Sequence, residues 1–221
     1  SESFVQQLAL VGESNTSEEA FEKLETAGIL MRLDAEVKPT MFRCATITES
    51  EFKELQGVTQ VIRKGHVLSI DASGLQMEHG IEVMPEGTVY INCTADGLAK
   101  RPIQPVFKDD AITLQTVRFC QQVFSAAFIA RVELTSTDEA EKNELCAVVP
   151  HPDTDIDYFA VTLGNLINSA RWNADPELAK WLAGARLDGF SEVGRSPVIA
   201  APQEEVAQVV DKFGRFASEG F

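Results

Sequence analysis

The sequence predicts a mixed α/β (α+β) protein with two parts. Short runs rich in β-forming residues, separated by glycine and aspartate, lie between residues 58 and 94. From Thr113 onward, apolar residues recur instead at helical spacing. We therefore predict a mixed α/β part over residues 1–110, with an antiparallel β-meander, and a mostly helical carboxy-terminal region over residues 111–221.

Three short helices are predicted in the first part, at residues 4–11, 17–27 and 49–56. Thr48, followed three residues later by Glu51, forms a capping box in which each side chain satisfies a free backbone N–H. Ser17 is the expected N-cap of the second helix, because its hydroxyl can accept a hydrogen bond from the first turn.

Five short apolar runs are expected to form strands. They are residues 29–33, 58–62, 66–70, 75–78 and 88–93. Arg63-Lys64-Gly65 and the turn Asp71–Gly74 separate three of them, which is typical of an antiparallel meander. The run Thr88–Cys93 is strongly apolar, so we expect it to be a buried strand.

Four helices are predicted in the second part, at residues 114–134, at 159–172, from Asp175 onward, and at 202–217. Asp175-Pro176-Glu177 is a strong start signal, since an acidic N-cap precedes a proline at the first helical position. Helical spacing assigns Leu163, Leu166, Ile167 and Ala170 to one apolar face of the second helix.

Composition excludes several classes of protein. The 34 acidic residues outnumber the 19 basic ones, giving a formal charge of −15 that would repel nucleic acid. No apolar run approaches the roughly 20 residues needed to cross a bilayer, and no signal sequence is visible, so we expect no membrane partner. The four cysteines are widely spaced and include no C-x-x-C pair, which predicts reduced thiols in a cytoplasmic protein.

The stretch Gly87–Phe107, GTVYINCTADGLAKRPIQPVF, resembles the late strand and loop of flavoproteins with two dinucleotide-binding folds. In those proteins a hydrophobic strand runs into a small-residue turn beside the flavin. The runs VIRKGHVLSID and GLQMEHG resemble the antiparallel crossover that precedes this strand. From Phe4 to Asp188 the chain is similar to an uncharacterised bacterial FAD/NAD(P)-binding family, related to the pyridine nucleotide-disulfide oxidoreductases.

The resemblance implies a partial Rossmann-like half of an FAD domain, with FAD and NAD(P) as cofactors of the intact protein. It places Thr94, Ala95, Asp96 and Gly97 beside the flavin, because small residues let backbone N–H groups approach a flat ring or phosphate. An ordinary strand-to-loop turn is the alternative interpretation of these four residues. No catalytic acid or base is assigned, and the paired-cysteine redox motif of the family is missing.

One element of that family is absent. No G-x-G-x-x-G segment, which holds the dinucleotide phosphate at a helix N-terminus, occurs in the 221 residues. The resemblance therefore implies a fragment whose partner is a missing amino-terminal dinucleotide-binding segment. Alone, the chain is expected to bind no FAD and to be inactive. The alternative is a non-catalytic α/β-plus-helical module that binds a protein partner through its helical half.

Two further motifs are weaker. Lys100 and Arg101 could neutralise a dinucleotide phosphate, although a solvated basic pair is the simpler interpretation. Asp153, Asp155 and Asp157 match the start of a calcium loop, but Tyr158 stands where that loop requires glycine. An acidic lead-in to a helix explains these aspartates better, and no metal site is predicted.

Overall fold

A computed structural model describes residues 2–93, 102–187 and 203–219. It confirms a mixed α+β protein with helices and small antiparallel sheets. The helices are α1 (Glu2–Gly12), α2 (Ser17–Thr26), α3 (Glu49–Gln56), α4 (Gln122–Glu133), α5 (Glu139–Leu145), α6 (Asp157–Ala174), α7 (Pro176–Gly184) and α8 (Gln203–Ser218). The strands are β1 (Val67–Asp71), β2 (Gly74–Met77), β3 (Gly80–Glu82), β4 (Phe107–Lys108) and β5 (Ala111–Ile112).

The chain forms two compact units. The described parts of residues 1–46 and 100–221 make up unit 1, and those of residues 47–99 make up unit 2. Unit 1 therefore combines residues from both sides of the boundary expected near residue 110. The assignment of residues 1–110 to a flavin-binding fold stays a prediction.

Unit 1 contains two buried clusters that share helix α6. Cluster A surrounds Trp172, near the end of α6, and includes Phe124 and Phe128 of α4. The ring centroids of Phe128 and Trp172 are 4.1 Å apart. Cluster B surrounds Phe159, near the start of α6, where Phe213 and Phe216 of α8 pack beside it.

The buried residues of α6 recur at helical spacing, but they are not the residues predicted to form its apolar face. Its buried residues are Tyr158, Phe159, Val161, Thr162, Asn165, Asn168, Ser169 and Trp172. The expected apolar face is wrong in part: Leu163 and Leu166 are half-buried against cluster B, but Ile167 is 39% exposed and Ala170 is also exposed. Polar residues lie inward here because the neighbouring loop presents backbone groups that need hydrogen-bond partners.

Most of the helix ends predicted from capping residues are confirmed. The capping box of Thr48 and Glu51 is present, α3 stops before Gly57, and Asp175 caps α7 with Pro176 at its first position. Thr16, rather than Ser17, caps α2 and accepts a hydrogen bond from the backbone N–H of Glu19.

Other assignments are wrong. Residues 29–33 and 58–62 form no strand, and α4 begins at Gln122 instead of residue 114. The predicted helix fails over residues 114–121, where the non-glycine residue Phe119 adopts a positive φ of 41°. Helix α5 and the short β4–β5 hairpin lie in stretches for which no such element was predicted.

We expect Phe128→Ala to lower the free energy of unfolding by about 3–5 kcal/mol, because it leaves a cavity in cluster A. Val123→Ala on the same helix is the control, since Val123 is 68% exposed, and we expect a change within about 0.5 kcal/mol. Urea unfolding followed by circular dichroism measures both. Equal losses would contradict the burial described for α4.

Candidate functional site

The four residues predicted to lie beside a flavin cannot be placed. Thr94, Ala95, Asp96 and Gly97 lie outside the described residues, as do Lys100 and Arg101. The structure instead describes the chain that leads to them, through unit 2 up to Cys93.

Unit 2 is built on a three-stranded antiparallel sheet in the order β1-β2-β3. This confirms an antiparallel meander through the runs predicted at 66–70 and 75–78, although its third strand is Gly80–Glu82 rather than the run predicted at 58–62. The turn between β1 and β2 is held by Asp71, whose Oδ1 accepts hydrogen bonds from the Ser73 backbone N–H at 2.8 Å and the Ser73 hydroxyl. These bonds hold the pKa of the Asp71 carboxyl below its ordinary value.

The first residue of β2 must be glycine. Gly74 has φ +122°, and a Cβ at this position would lie 2.1 Å from the carbonyl oxygen of Glu82. Only glycine permits that backbone angle together with so close an approach of β3.

Unit 2 buries very little apolar surface. Leu75 is its one buried hydrophobic side chain among the described residues, and all five residues of β1 are exposed. The apolar side chains left exposed in this unit are Leu55, Val58, Val61, Ile62, Val67, Leu68, Ile70, Ile81, Val83, Val89, Tyr90 and Ile91. We call these twelve residues the apolar surface of unit 2.

The expectation of a buried strand at Thr88–Cys93 is wrong for the described chain. The segment joins neither described sheet, and Val89 and Ile91 are 81% and 80% exposed. Strong apolar character alone could not bury the segment, because burial requires neighbouring strands that this chain does not place against it.

Lys64 and Glu78 have partners within unit 2. The ammonium group of Lys64 lies 2.7 Å from a carboxylate oxygen of Glu82 and donates to the carbonyl of Ile81. Glu78 accepts a hydrogen bond from the backbone N–H of His66. The Lys64 charge is therefore used within the sheet, and Arg63-Lys64 forms no extended basic surface.

Unit 1 carries a buried polar arrangement that the sequence did not reveal. Asn165 and Asn168 of α6 both bind the loop 116–121. The Asn165 side-chain oxygen accepts from the Phe119 N–H at 2.7 Å, and the Asn168 amide donates to the carbonyls of Val117 and Ala147. These two amides hold the loop in a conformation that includes the unfavourable φ of Phe119.

Arg118 of the same loop is 4% exposed, and its guanidinium group packs against two rings of cluster A. It lies 4.7 Å from the Trp172 ring centroid and 5.1 Å from that of Phe124. Such cation–π contacts are strongest when shielded from water. Arg118 therefore stabilises the loop from within the core, and its burial removes it from contact with a soluble ligand.

The calcium-like aspartates serve the start of α6. The carboxylate of Asp157, the first residue of the helix, accepts hydrogen bonds at 2.7 Å from the backbone N–H groups of Asp153 and Thr154. An acidic group at a helix start is favoured by the helix dipole, as the sequence predicted. Within the described ranges, no group of three acidic, histidine or cysteine side chains is arranged to hold a metal ion.

The cysteines depart from the expectation of four thiols. Cys44 and Cys120 form a disulfide with Cα atoms 6.3 Å apart, so the prediction of reduced thiols is wrong for this pair. Cys93 is free and exposed, whereas Cys146 is free and buried in cluster A. Burial raises the pKa of the Cys146 thiol to about 12.

The relatives found are mycobacterial. Uncharacterized proteins of Mycobacterium tuberculosis and Mycobacterium bovis are each 45% identical to this chain over 192 residues. The match covers 87% of this chain but 36% of each relative, so the chain spans about a third of the length of these curated relatives. No family model and no solved structure matches the chain.

Among the described helices, none combines the length and apolar character needed to span a bilayer.

We expect Asn168→Ala to lower the free energy of unfolding by roughly 2 kcal/mol or more, because the Val117 and Ala147 carbonyls lose their buried partner. Asn173→Ala is the control on the same helix, since the Asn173 amide donates only to Ser169 within α6. Thermal unfolding of both variants measures the difference. A loss no larger than that of the control would contradict the anchoring role of Asn168.

The raised pKa of the Cys146 thiol predicts that the free energy of unfolding falls at alkaline pH. Its folded-state pKa is raised to about 12 from an ordinary value of 9.0, so its contribution is fully present below pH 9 and is lost as the pH rises toward 12. Between pH 9 and pH 12, the free energy of unfolding of the original protein should fall by roughly 3 kcal/mol more than that of Cys146→Ala. Urea unfolding at several pH values tests this, and parallel curves would exclude the buried thiol as the cause.

Proposed function

We propose that this chain is the carboxy-terminal part of an FAD- and NAD(P)-dependent oxidoreductase. In this proposal unit 2 completes a Rossmann-like flavin domain whose glycine-rich segment is contributed by the rest of the protein. The chain also contributes to the substrate side of that protein. The observation that carries the proposal is the exposed apolar surface of unit 2.

That surface is large for a unit with so small a core. A three-stranded sheet is stable in water only if one face packs against something, and β1 is exposed on both faces. Large apolar side chains exposed in this number favour docking of another part of a protein on this unit. The occupant that fits best is a parallel sheet, because Thr88–Cys93 is an apolar run of the kind found in strands covered on both faces.

The length of the relatives supports an occupant within the same polypeptide. This chain matches 36% of each mycobacterial relative, which leaves most of those proteins to supply further elements. A dinucleotide-binding segment in that remainder would also explain why the chain itself has no G-x-G-x-x-G.

The described residues do not by themselves form a cradle for FAD. They do fit the role of one edge of such a site, since the exposed residues 89–93 lead directly to Thr94–Gly97, the residues proposed to face the ring. When bound, the isoalloxazine would supply hydride chemistry. This chain would contribute backbone N–H groups and an apolar wall that excludes water.

The same apolar surface also favours a second candidate, a non-catalytic module that binds a separate protein. In the version of this candidate that the sequence predicts, the helical half binds the partner, whereas here the apolar surface of unit 2 is proposed as the interface. In that case the whole protein would contain no flavin, and unit 2 would become protected only when the partner is added.

A charge introduced at Ile91 tests the proposal in the whole protein, expressed with the sequence that adjoins this chain in its gene. We expect the purified protein to show the visible absorbance of a bound flavin. Ile91→Asp should remove most of that flavin and lower the free energy of unfolding by about 3 kcal/mol or more, because it buries an unpaired charge. Absorbance spectra and thermal unfolding measure both effects.

Leu134→Asp is the matched control, because Leu134 is 84% exposed and Ile91 is 80% exposed, while Leu134 lies just after α4 in unit 1. We expect this variant to keep its flavin. In the 221-residue chain alone, both substitutions should leave stability unchanged within about 0.5 kcal/mol. A colourless whole protein would refute the flavin proposal, and equal effects of the two variants would refute the docking of Thr88–Cys93.

A further inference from the structure

The Cys44–Cys120 disulfide joins two parts of unit 1 that are held in different ways. Cys120 lies near the end of the well-anchored loop 116–121, two residues before α4 begins. Cys44 lies in the connecting segment, residues 27–46, which contains neither helix nor strand and leads along the chain into unit 2. The bond therefore fixes the last part of this segment to the body of unit 1.

The Cys120 side is held independently of the disulfide. The Phe119 N–H donates to Asn165, the Val117 N–H donates to Ser125, and the Thr116 hydroxyl donates to the carbonyl of Val149. These buried or partly buried contacts come from α4, from α6 and from Val149, which lies between α5 and α6. Reduction of the disulfide would leave all of them in place.

The chain around Cys44 is held on unit 1 by weaker contacts. Its nearest described contacts are a 3.3 Å hydrogen bond from the Phe42 N–H to the carbonyl of Thr154 and a 3.2 Å bond from Arg43 to the carbonyl of Pro152. The Phe42 ring, which is partly buried against cluster B, also makes a T-shaped contact with Tyr158. The ion pair of Arg43 with Asp153 spans 3.9 Å between half-exposed side chains, and such pairs stabilise little.

Neither sulfur belongs to a buried cluster. Clusters A and B contain neither Cys44 nor Cys120, and both residues are partly exposed. Breaking the bond would therefore remove a tether without opening a cavity in either cluster. Disulfides that are accessible in this way are the ones that exchange with dithiols.

We propose that Cys44–Cys120 is a redox-sensitive clasp that holds the end of the connecting segment on unit 1 and releases it when a dithiol reductant reduces the bond. One thiolate of the dithiol attacks a sulfur of the clasp and forms a mixed disulfide, and its second thiol then closes the donor's own disulfide. Two electrons and two protons pass to the protein, leaving thiols at Cys44 and Cys120. This inference does not depend on the proposed function.

Thiol counting tests whether the clasp exists. Protein purified in air and denatured without reductant should titrate two thiols, Cys93 and Cys146, and four after treatment with dithiothreitol. Peptide mapping of the alkylated protein identifies which cysteines react. Four thiols before reduction, or a different cysteine pair protected, would overturn the proposal.

Limited trypsin digestion of the native chain tests the release. We expect cleavage after Arg43 to become about tenfold faster on reduction, because the bond to Cys44 must leave the surface of unit 1 to enter the protease. Cleavage after Lys142, on α5 and paired with Glu133, is the internal reference and should change much less.

Two variants complete the experiment. Cys44→Ser should show the fast cleavage at Arg43 with or without reductant, whereas Cys93→Ser should respond to reductant as the original chain does. An unchanged rate at Arg43 would overturn the clasp. An equal rise at Arg43 and Lys142 would also overturn it, since the disulfide would then only stabilise unit 1 as a whole.

Discussion

The hydrogen bonds from Asn165 and Asn168 of α6 to the loop 116–121 are the constraint on which unit 1 depends. They place two polar side chains on the buried face of the central helix and satisfy loop backbone groups that would otherwise be buried without partners. They also stabilise Phe119 in a backbone conformation that most residues avoid. The direction in which the chain enters α4 follows from these bonds.

Because α6 has 18 residues, it extends about 27 Å, far enough to pack in cluster B at its start and in cluster A at its end. The Trp172 indole N–H donates to the carbonyl of Leu145, which ties the end of α6 to the end of α5. The two ends of α6 thus pack in apolar clusters, whereas the polar side chains of Asn165 and Asn168 anchor its middle. The described part of unit 1 is therefore a mainly helical body with two buried clusters.

Unit 2 contrasts with unit 1 in this respect. Its turns and strand register are well formed, with Gly74 and Asp71 fixing the first hairpin, yet its apolar side chains mostly face water. Local hydrogen bonding can shape a small sheet, but only a second layer can bury it. The proposed docking of a further segment would remove this imbalance, and the relatives, of which the matched region is about a third, are long enough to contain such a segment.

The sequence by itself determined the features whose causes are local. The capping box of Thr48, the Asp175-Pro176 start of α7 and the glycine turn of the first hairpin each depend on a few adjacent residues. Only the tertiary structure decided which face of α6 is buried, where α4 begins, and that Cys44 meets Cys120 across 76 residues. The exposure of Thr88–Cys93 belongs with these, because burial and pairing depend on partners distant in the chain, which local periodicity does not reveal.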